Sequence, residues 1–302
     1  MSKHSQLADR VVGCLLAGAI GDAAGSRYEG EPPPIAVDFE DEWFITDDTQ
    51  LTLATCTAIV AQGEVNAESI AAEFARAFRS RTLVGLGAST YQALEALAAG
   101  GHWALAGRKG DRAAGNGAAM RAAPLAFCLD LSSHADRRVF RDVCRITHHN
   151  DEAYVGALAI ALAVQFAWRG EWRGGPGLIP QVGRQLPDSG VCDRLRDMEA
   201  LEPNTTLHEV ARQFGNSGWA VESVPLALYS VQHLHEDGFT GWLRSVVELG
   251  GDCDTIASMA AQIAGCWLGG QRVPSNLIEK IPEGALVRNS AAAFATYISA
   301  RG

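Results

Sequence analysis

The sequence contains no Cys-x-x-Cys pair, no excess of basic residues and no apolar run of membrane length. Its seven cysteines, at positions 14, 56, 128, 144, 192, 253 and 266, are odd in number and scattered through apolar stretches. That placement argues against a disulfide framework or a zinc knuckle, and for reduced, buried thiols in a cytoplasmic protein. A net charge of -10 over 302 residues leaves no basic face, so tracking of a nucleic-acid backbone is not expected. Residues 1–10 lack the basic-then-apolar order of a secretory signal. The apolar run at 11–20 is broken by Gly13 and Gly18 and is too short to span a bilayer, so no membrane partner is expected. Two-residue alternation of apolar and polar residues is also scarce, which disfavours a fold built from half-buried strands.

What the chain has instead is three- and four-residue apolar spacing almost throughout. This predicts helices over 6–25, 49–62, 66–80, 87–99, 117–130, 135–148, 152–168, 191–201, 206–214, 221–235, 239–249, 254–268 and 286–300. Residues 26–45 break the pattern with Glu29, Glu31, Pro32-Pro33-Pro34 and Asp38-Phe39-Glu40-Asp41-Glu42, and read as a loop or flap. A second loop at 102–116 carries Arg108, Lys109 and Arg112, whose charges could attract an anion but read more readily as a solvated run. The Gly/Pro-rich connector at 170–190 is the one candidate internal boundary, but apolar helices resume after it. The expectation is an all-α protein of about a dozen helices, folded as a single domain over 1–302. At 47% hydrophobic residues the chain can bury a substantial core.

Two short acidic turns stand out. Gly250-Gly251-Asp252-Cys253-Asp254-Thr255 runs directly into an alanine-rich apolar stretch, and Thr46-Asp47-Asp48-Thr49 does the same roughly two hundred residues earlier. Either turn alone reads as an acidic helix N-cap, since a carboxylate accepts the free N–H groups and suits the positive end of the dipole. Together they offer four carboxylates and several hydroxyls, more than capping requires. Like charges brought that close cannot all stay ionised without a neutralising partner. An oxygen-only set favours Mg²⁺, Mn²⁺ or Ca²⁺ over Zn²⁺, and two such ions about 3.5–4 Å apart can orient a substrate and activate water.

Taken with 13–29 (GCLLAGAIGDAAGSRYE), 115–121 (GNGAAMR), Thr147-His148 and the 250–265 block, these turns resemble the ADP-ribosylglycohydrolase family, in the family's order and over about residues 11–270. The resemblance implies a compact orthogonal all-α bundle, two Mg²⁺ or Mn²⁺ ions and hydrolysis at C1″ of an ADP-ribosyl group. The substrate would be an ADP-ribosylated protein or a small ADP-ribosyl conjugate, the product ADP-ribose, and the protein a monomer. It implies Thr46, Asp47 and Asp48 as ligands on one side of the metal pair and Asp252, Asp254 and Thr255 on the other. Glu29 would manage a proton from the flap. Asp22 matches the family's Gly-Asp and would either orient a water or serve as a buried, hydrogen-bonded aspartate. Gly115, Asn116, Gly117 and Met120 would face the diphosphate, with a helix starting at 117 adding its dipole, and His148 would line the ribose or phosphate side.

Three positions depart from the family pattern. Cys253 stands where threonine or serine is usual, which suggests sensitivity to oxidation. Ala113-Ala114 precede the GNG where relatives carry hydroxyl or aromatic residues. Asn150-Asp151 follow Thr147-His148 where an acidic residue is usual two positions on. The stretches 26–29 and 250–259 look more like the branch acting on O-linked ADP-ribose than the arginine-specific one. The alternative is an ADP-ribose-binding or structural member of the same scaffold. A diphosphate-dependent prenyl transferase is disfavoured because Asp47-Asp48-Thr49-Gln50 lacks a third spaced carboxylate.

Overall fold

Helices dominate the chain because nearly every long segment carries apolar residues at helical spacing and ends at a glycine or a polar cap. The structure, a computed structural model, describes residues 3–33, 35–40, 43–202 and 204–301. Among them are sixteen α-helices: α1 (Lys3–Gly25), α2 (Asp47–Gln62), α3 (Ala67–Arg79), α4 (Ala88–Ala98), α5 (Trp103–Ala106), α6 (Ala123–Ala126), α7 (His134–Arg145), α8 (Asp151–Arg169), α9 (Leu178–Gly183), α10 (Gly190–Glu199), α11 (Leu207–Phe214), α12 (Ala220–Val231), α13 (Leu234–Val247), α14 (Cys253–Leu268), α15 (Ser275–Ile278) and α16 (Gly284–Ser299). Four of these, α5, α6, α9 and α15, have only four to six residues, leaving the dozen longer helices that the spacing predicts. The only sheet among the described residues pairs β1 (Arg108–Lys109) with β2 (His148–His149) in parallel. The 26–45 segment is irregular wherever it is described, and Pro34, Asp41 and Glu42 lie outside the described residues.

Two helices are buried all round. Every residue of α8 from 153 to 167 and of α14 from 253 to 266 is buried, so both run through the core. The outer helices are amphipathic: α3 turns Ile70, Ala71, Phe74 and Ala75 inward, and α7 turns in Phe140, Val143 and Cys144. Caps set the helix starts. Asn66 accepts from Ser69 N, Ser133 from Asp136 N and Asn150 from Glu152 N, and Thr206 with Glu209 forms a capping box before α11.

Helices α1 and α14 pack backbone against backbone. A Cβ on Gly13 would lie 2.2 Å from the Gly265 carbonyl oxygen, and one on Gly265 would lie 2.1 Å from that of Gly13. Further along, a Cβ on Gly21 would fall 2.4 Å from the Ala257 oxygen, and one on Gly25 would fall 2.4 Å from Asp254 Cα. Positions 13, 17, 21 and 25 share one face of α1, and all are glycine or alanine. The two backbones therefore touch directly, and the C-terminal end of α1 is pressed against the start of α14.

One expected helix is absent. Only Ala123–Ala126 of the 117–130 stretch is α-helical; residues 117–121 form turns. Pro124 has no N–H to give the Met120 carbonyl four residues back. That carbonyl is met instead by Gln262 Nε2 at 2.7 Å and Thr52 Oγ1 at 3.3 Å, from two other helices. No helix dipole therefore supports the 115–117 loop. The stretch 135–148 also ends sooner than expected, at Arg145, because His148 and His149 join the small sheet.

Replacing Gly265 by alanine should force α1 and α14 apart and lower the unfolding free energy by about 2–3 kcal/mol. Gly183→Ala, whose new Cβ meets nothing within 4 Å, should change it by less than about 0.5 kcal/mol. Urea unfolding followed by circular dichroism reads both; equal effects of the two would show that the close approach does not matter.

Candidate functional site

The α1–α14 contact sets the site's geometry, because Asp22 sits near the end of α1 while Asp252 and Asp254 open α14. The start of α2 joins them through Asp22. Its carboxylate accepts from Thr46 N at 3.0 Å, Thr46 Oγ1 at 2.7 Å and Thr49 N at 3.1 Å, and also from the Thr49 hydroxyl. Thr46 is the α2 N-cap, with an extended backbone and a hydroxyl accepting from Asp48 N. Across the gap the Thr255 hydroxyl reaches Asp48 Oδ2 at 3.1 Å and Asp252 Oδ1 at 3.4 Å. Oxygens of Asp22, Asp48 and Asp254 all lie within 4.8 Å of one another, and so do those of Glu29, Asp252 and Asp254. The two groups share Asp254, and Asp47 faces the cavity above them.

Burial raises every one of these carboxyl groups, and neighbouring carboxylates add to it at Asp47, Asp48, Asp252 and Asp254. Desolvation is the main cause throughout. It lifts Asp22 to about 6 against four opposing threonine hydrogen bonds, and Asp252 to about 6 against the Asn116 amide. Asp47, Asp48 and Asp254 go well above the usual carboxylate range, with neighbouring carboxylates adding to the desolvation. Glu29, on the exposed flap, is raised by partial desolvation. Asp48 Oδ1 is buried with no hydrogen-bond partner among the described residues. An orphaned carboxylate oxygen inside an all-oxygen cluster fits a hard divalent cation, which would supply both the missing contact and the missing charge.

Above the cluster opens a cavity of about 400 Å³. Glu29, Asp47, Asp48, Asp252, Asp254 and Thr255 lie on one side, and Gly115, Asn116, Gly117, Met120 and His148 on another. Two backbone pairings build this second wall. Strand β1 pairs with β2 so that Arg108 stands opposite His148. Residues 114–116 pair with 218–220, through Asn116 N to Gly218 O and Ala220 N to Ala114 O, both 2.9 Å. A Cβ on Gly117 would come within 2.7 Å of His148 Cε1, so the imidazole packs directly on the loop.

A sequence profile of the ADP-ribosylglycohydrolase family matches residues 3–301. The chain belongs to the ADP-ribosylglycohydrolase family. Human ADP-ribosylhydrolase ARH3 is 28% identical over 319 residues, covering 88% of this chain and 87% of that protein. ADP-ribosylarginine hydrolase Tri1 of Pseudomonas putida is 27% identical over 297 residues, covering 91% and 75%. A solved ADP-ribosylglycohydrolase-related protein complex shares the fold at a TM-score of 0.71 and 24% identity, covering 97% of this chain and 99% of that one.

Asp22 takes one of its two expected places, that of a buried, hydrogen-bonded aspartate, while several other site residues stand elsewhere than expected. Asp22 is fully buried beneath the cavity, where it ties α1 to the start of α2. The Asn116 amide is spent on Asp252 Oδ2 and Ser223 Oγ rather than turned to open space. Arg108 and Arg112, read as a solvated run, line the cavity because the β1–β2 pairing draws their loop inward. Cys253 is buried with its thiol toward the Gly25 carbonyl, and burial with the flanking aspartates pushes its pKa up. A thiol kept protonated and covered is a poor target for oxidation, which argues against the sensitivity that its position suggests. The walls at 85–90 and 217–219, including the half-exposed Trp219, escaped sequence reasoning. Their one signal was glycine beside hydroxyl residues (Gly87, Ser89, Thr90, Ser217, Gly218), and any polar loop carries that. All seven cysteines are free, and no helix of the described residues is long and apolar enough to cross a membrane.

The raised carboxyl groups fix a pH dependence. A carboxyl held at about 6 in the fold against an ordinary 3.8 takes up protons on folding, so stability is lost as pH rises through the folded value. His148 is held at about 3 against an ordinary 6.5 by burial and by Arg121 and Arg108; it opposes this trend only below its unfolded value. Asp47, Asp48 and Asp254, raised furthest, carry the effect above the Asp22 value, so the melting temperature of divalent-free protein should rise from about pH 8 to about pH 6. Mg²⁺ or Mn²⁺ at pH 8 should raise it by mass action, reversibly with EDTA. A melting temperature indifferent to both pH and metal would contradict the cation reading of the cluster.

Proposed function

We propose that this chain is a metal-dependent hydrolase of the C1″ glycosidic bond of ADP-ribosyl groups, on proteins or small conjugates, releasing ADP-ribose. The observation that carries the reading is one cavity with buried carboxylates on its floor and Arg108, Arg112 and neutral His148 on its wall. Such a cavity suits a ligand with a sugar diol at one end and a diphosphate at the other. Membership of the family and the activities named for ARH3 and Tri1 support it. We further propose that the chain acts as a single domain, as a monomer and in the cytoplasm.

Thr46, Asp47 and Asp48 on one side and Asp252, Asp254 and Thr255 on the other would hold two Mg²⁺ or Mn²⁺ ions, which when bound supply Lewis-acid charge beside the ribose hydroxyls. Asp22 keeps the Thr46 hydroxyl and the α2 start in place beneath them. Asn116 does the same for Asp252. Gly115 and Gly117 let the His148 ring sit against the loop whose backbone would meet the diphosphate oxygens, Met120 lines the same wall, and His148 offers a neutral donor. The C1″–acceptor bond breaks through an oxocarbenium-like state, and a water oxygen bonds to C1″. Glu29, whose pKa partial desolvation raises, takes the proton that water loses and returns one to the departing acceptor.

Asp47→Ala and Asp254→Ala should each abolish ADP-ribose release while leaving helix content unchanged by circular dichroism. Glu29→Gln should cost about 10²–10⁴ in kcat. Arginine-, serine- and nucleic-acid-linked ADP-ribose assayed with Mg²⁺, Mn²⁺ and EDTA reads both linkage and metal dependence. Turnover of none, or turnover indifferent to EDTA, would reject the hydrolase. ADP-ribose binding without release would make the chain a binding module.

A further inference from the structure

Arg121, the last residue of the GNGAAMR segment, takes no direct part in the chemistry above, yet it is among the most deeply buried large side chains of the protein. No carboxylate pairs with it among the described residues. Its Nε donates to the Gly117 carbonyl at 3.2 Å, its Nη2 donates to Thr147 Oγ1 at 2.8 Å, and the guanidinium lies 4.8 Å from the Phe74 ring centroid. Thr147 is itself fully buried, and its hydroxyl lies 2.9 Å from His148 Nδ1.

These contacts decide where the imidazole proton sits. The Thr147 hydroxyl has one proton and, in Arg121, already has a donor pointed at it. In a buried setting that proton needs an acceptor, because an unpaired O–H there is costly. The only other partner of Thr147 Oγ1 among the described residues is His148 Nδ1. Arg121 cannot give up its role as donor, since a guanidinium has donors only. Nδ1 must then be the bare nitrogen, and the neutral ring carries its proton on Nε2. That nitrogen makes no protein hydrogen bond among the described residues. It faces the loop that lines the cavity, and a Cβ on Gly115 would lie 3.2 Å from it.

We infer that Arg121, acting through Thr147, is a positioning residue that fixes His148 as the Nε2–H tautomer, with that N–H directed into the cavity as a donor to an anionic ligand oxygen. The opposite tautomer would present a lone pair to the diphosphate and repel it. The ring is neutral at working pH because burial and two nearby guanidiniums disfavour its cation, so the tautomer, not a charge, is what the relay sets. Arg121 thus serves the 115–117 loop twice, gripping the Gly117 carbonyl and orienting the imidazole packed on that loop. The assignment to a diphosphate oxygen rests on the hydrolase reading; the tautomer does not.

The full-length protein labelled with ¹⁵N-histidine tests this. Two-bond ¹H–¹⁵N correlation reports the tautomer of each of the eight rings, and His148→Gln identifies the signal by its loss. The inference expects Nε2–H in the wild type, the same in Thr147→Ser, and a shift toward Nδ1–H or a mixture in Thr147→Val. Nδ1–H in the wild type, or an unchanged Nε2–H signal in Thr147→Val, overturns it. The wild-type spectrum decides even if Thr147→Val fails to fold. In the activity arm, Thr147→Val should raise KM for the ADP-ribosyl substrate by about tenfold or more, with a smaller change in kcat, and Thr147→Ser should restore it. Normal KM alongside an altered tautomer overturns the role given to the N–H. An intact wild-type tautomer with no turnover by any form rejects the hydrolase and leaves the relay standing.

Discussion

The molecule is organised by direct backbone contact between its first long helix and its last buried one. Side chains normally hold helix axes about 8–10 Å apart; glycine at 13, 21 and 25 on α1 and at 265 on α14 removes that spacer. Backbone contact fixes register more tightly than side-chain packing can, since no rotamer change can absorb a slip. The ends of the two helices are consequently locked with Asp22 and Asp254 in one small volume. The α2 start is then held by four hydrogen bonds to Asp22 rather than by apolar packing alone.

This arrangement is costly as it stands. Five aspartates are buried or nearly so; desolvation pushes each of their pKa values upward, and neighbouring carboxylates add to it at all but Asp22. The apolar helices α8 and α14 beneath supply the burial that makes the cluster hold together despite its charge. Stability is given up locally where chemistry is to be done, a common feature of sites that bind charged groups. The orphaned Asp48 Oδ1 is the sharpest sign of it. A hard cation bound there would remove the repulsion and satisfy that atom at once, coupling binding to folding.

The cavity is assembled differently from its floor. The floor consists of helix starts on rigid elements, whereas the walls are loops joined by short backbone pairings, β1 with β2 and 114–116 with 218–220. The flap is pinned at its base, where Gly30 N donates to Gly251 O and Gly251 N to Glu31 O. Further out, Arg244 lies over the Phe39 ring and donates to the Val37 carbonyl. Glu29 is thereby kept beside Asp252 and Asp254 even though its own segment has no regular structure. Rigid ligands below and adaptable loops above suit a site that must hold one common group and accept varied attachments.

Much of this was legible in the sequence. The period of the apolar residues determined the long helices, because burial of one face or of all faces is a local pattern. The Thr-Asp-Asp-Thr and Asp-Cys-Asp-Thr turns announced hard-oxygen chemistry, since carboxylates beside hydroxyls exceed what a cap needs. The glycine spacing on α1 was there to be read as well, but it acquires meaning only once its partner helix is known. Tertiary structure alone decided the rest. It turned the stretch after Gly117 away from a helix, because Pro124 leaves a carbonyl that only distant side chains can satisfy. It drew Arg108 and Arg112 into a cavity through pairing with a strand forty residues away in sequence. It committed Asn116 to Asp252 and sealed Cys253 beneath Gly25. Each of these depends on which groups meet across the fold, and no local pattern encodes a meeting.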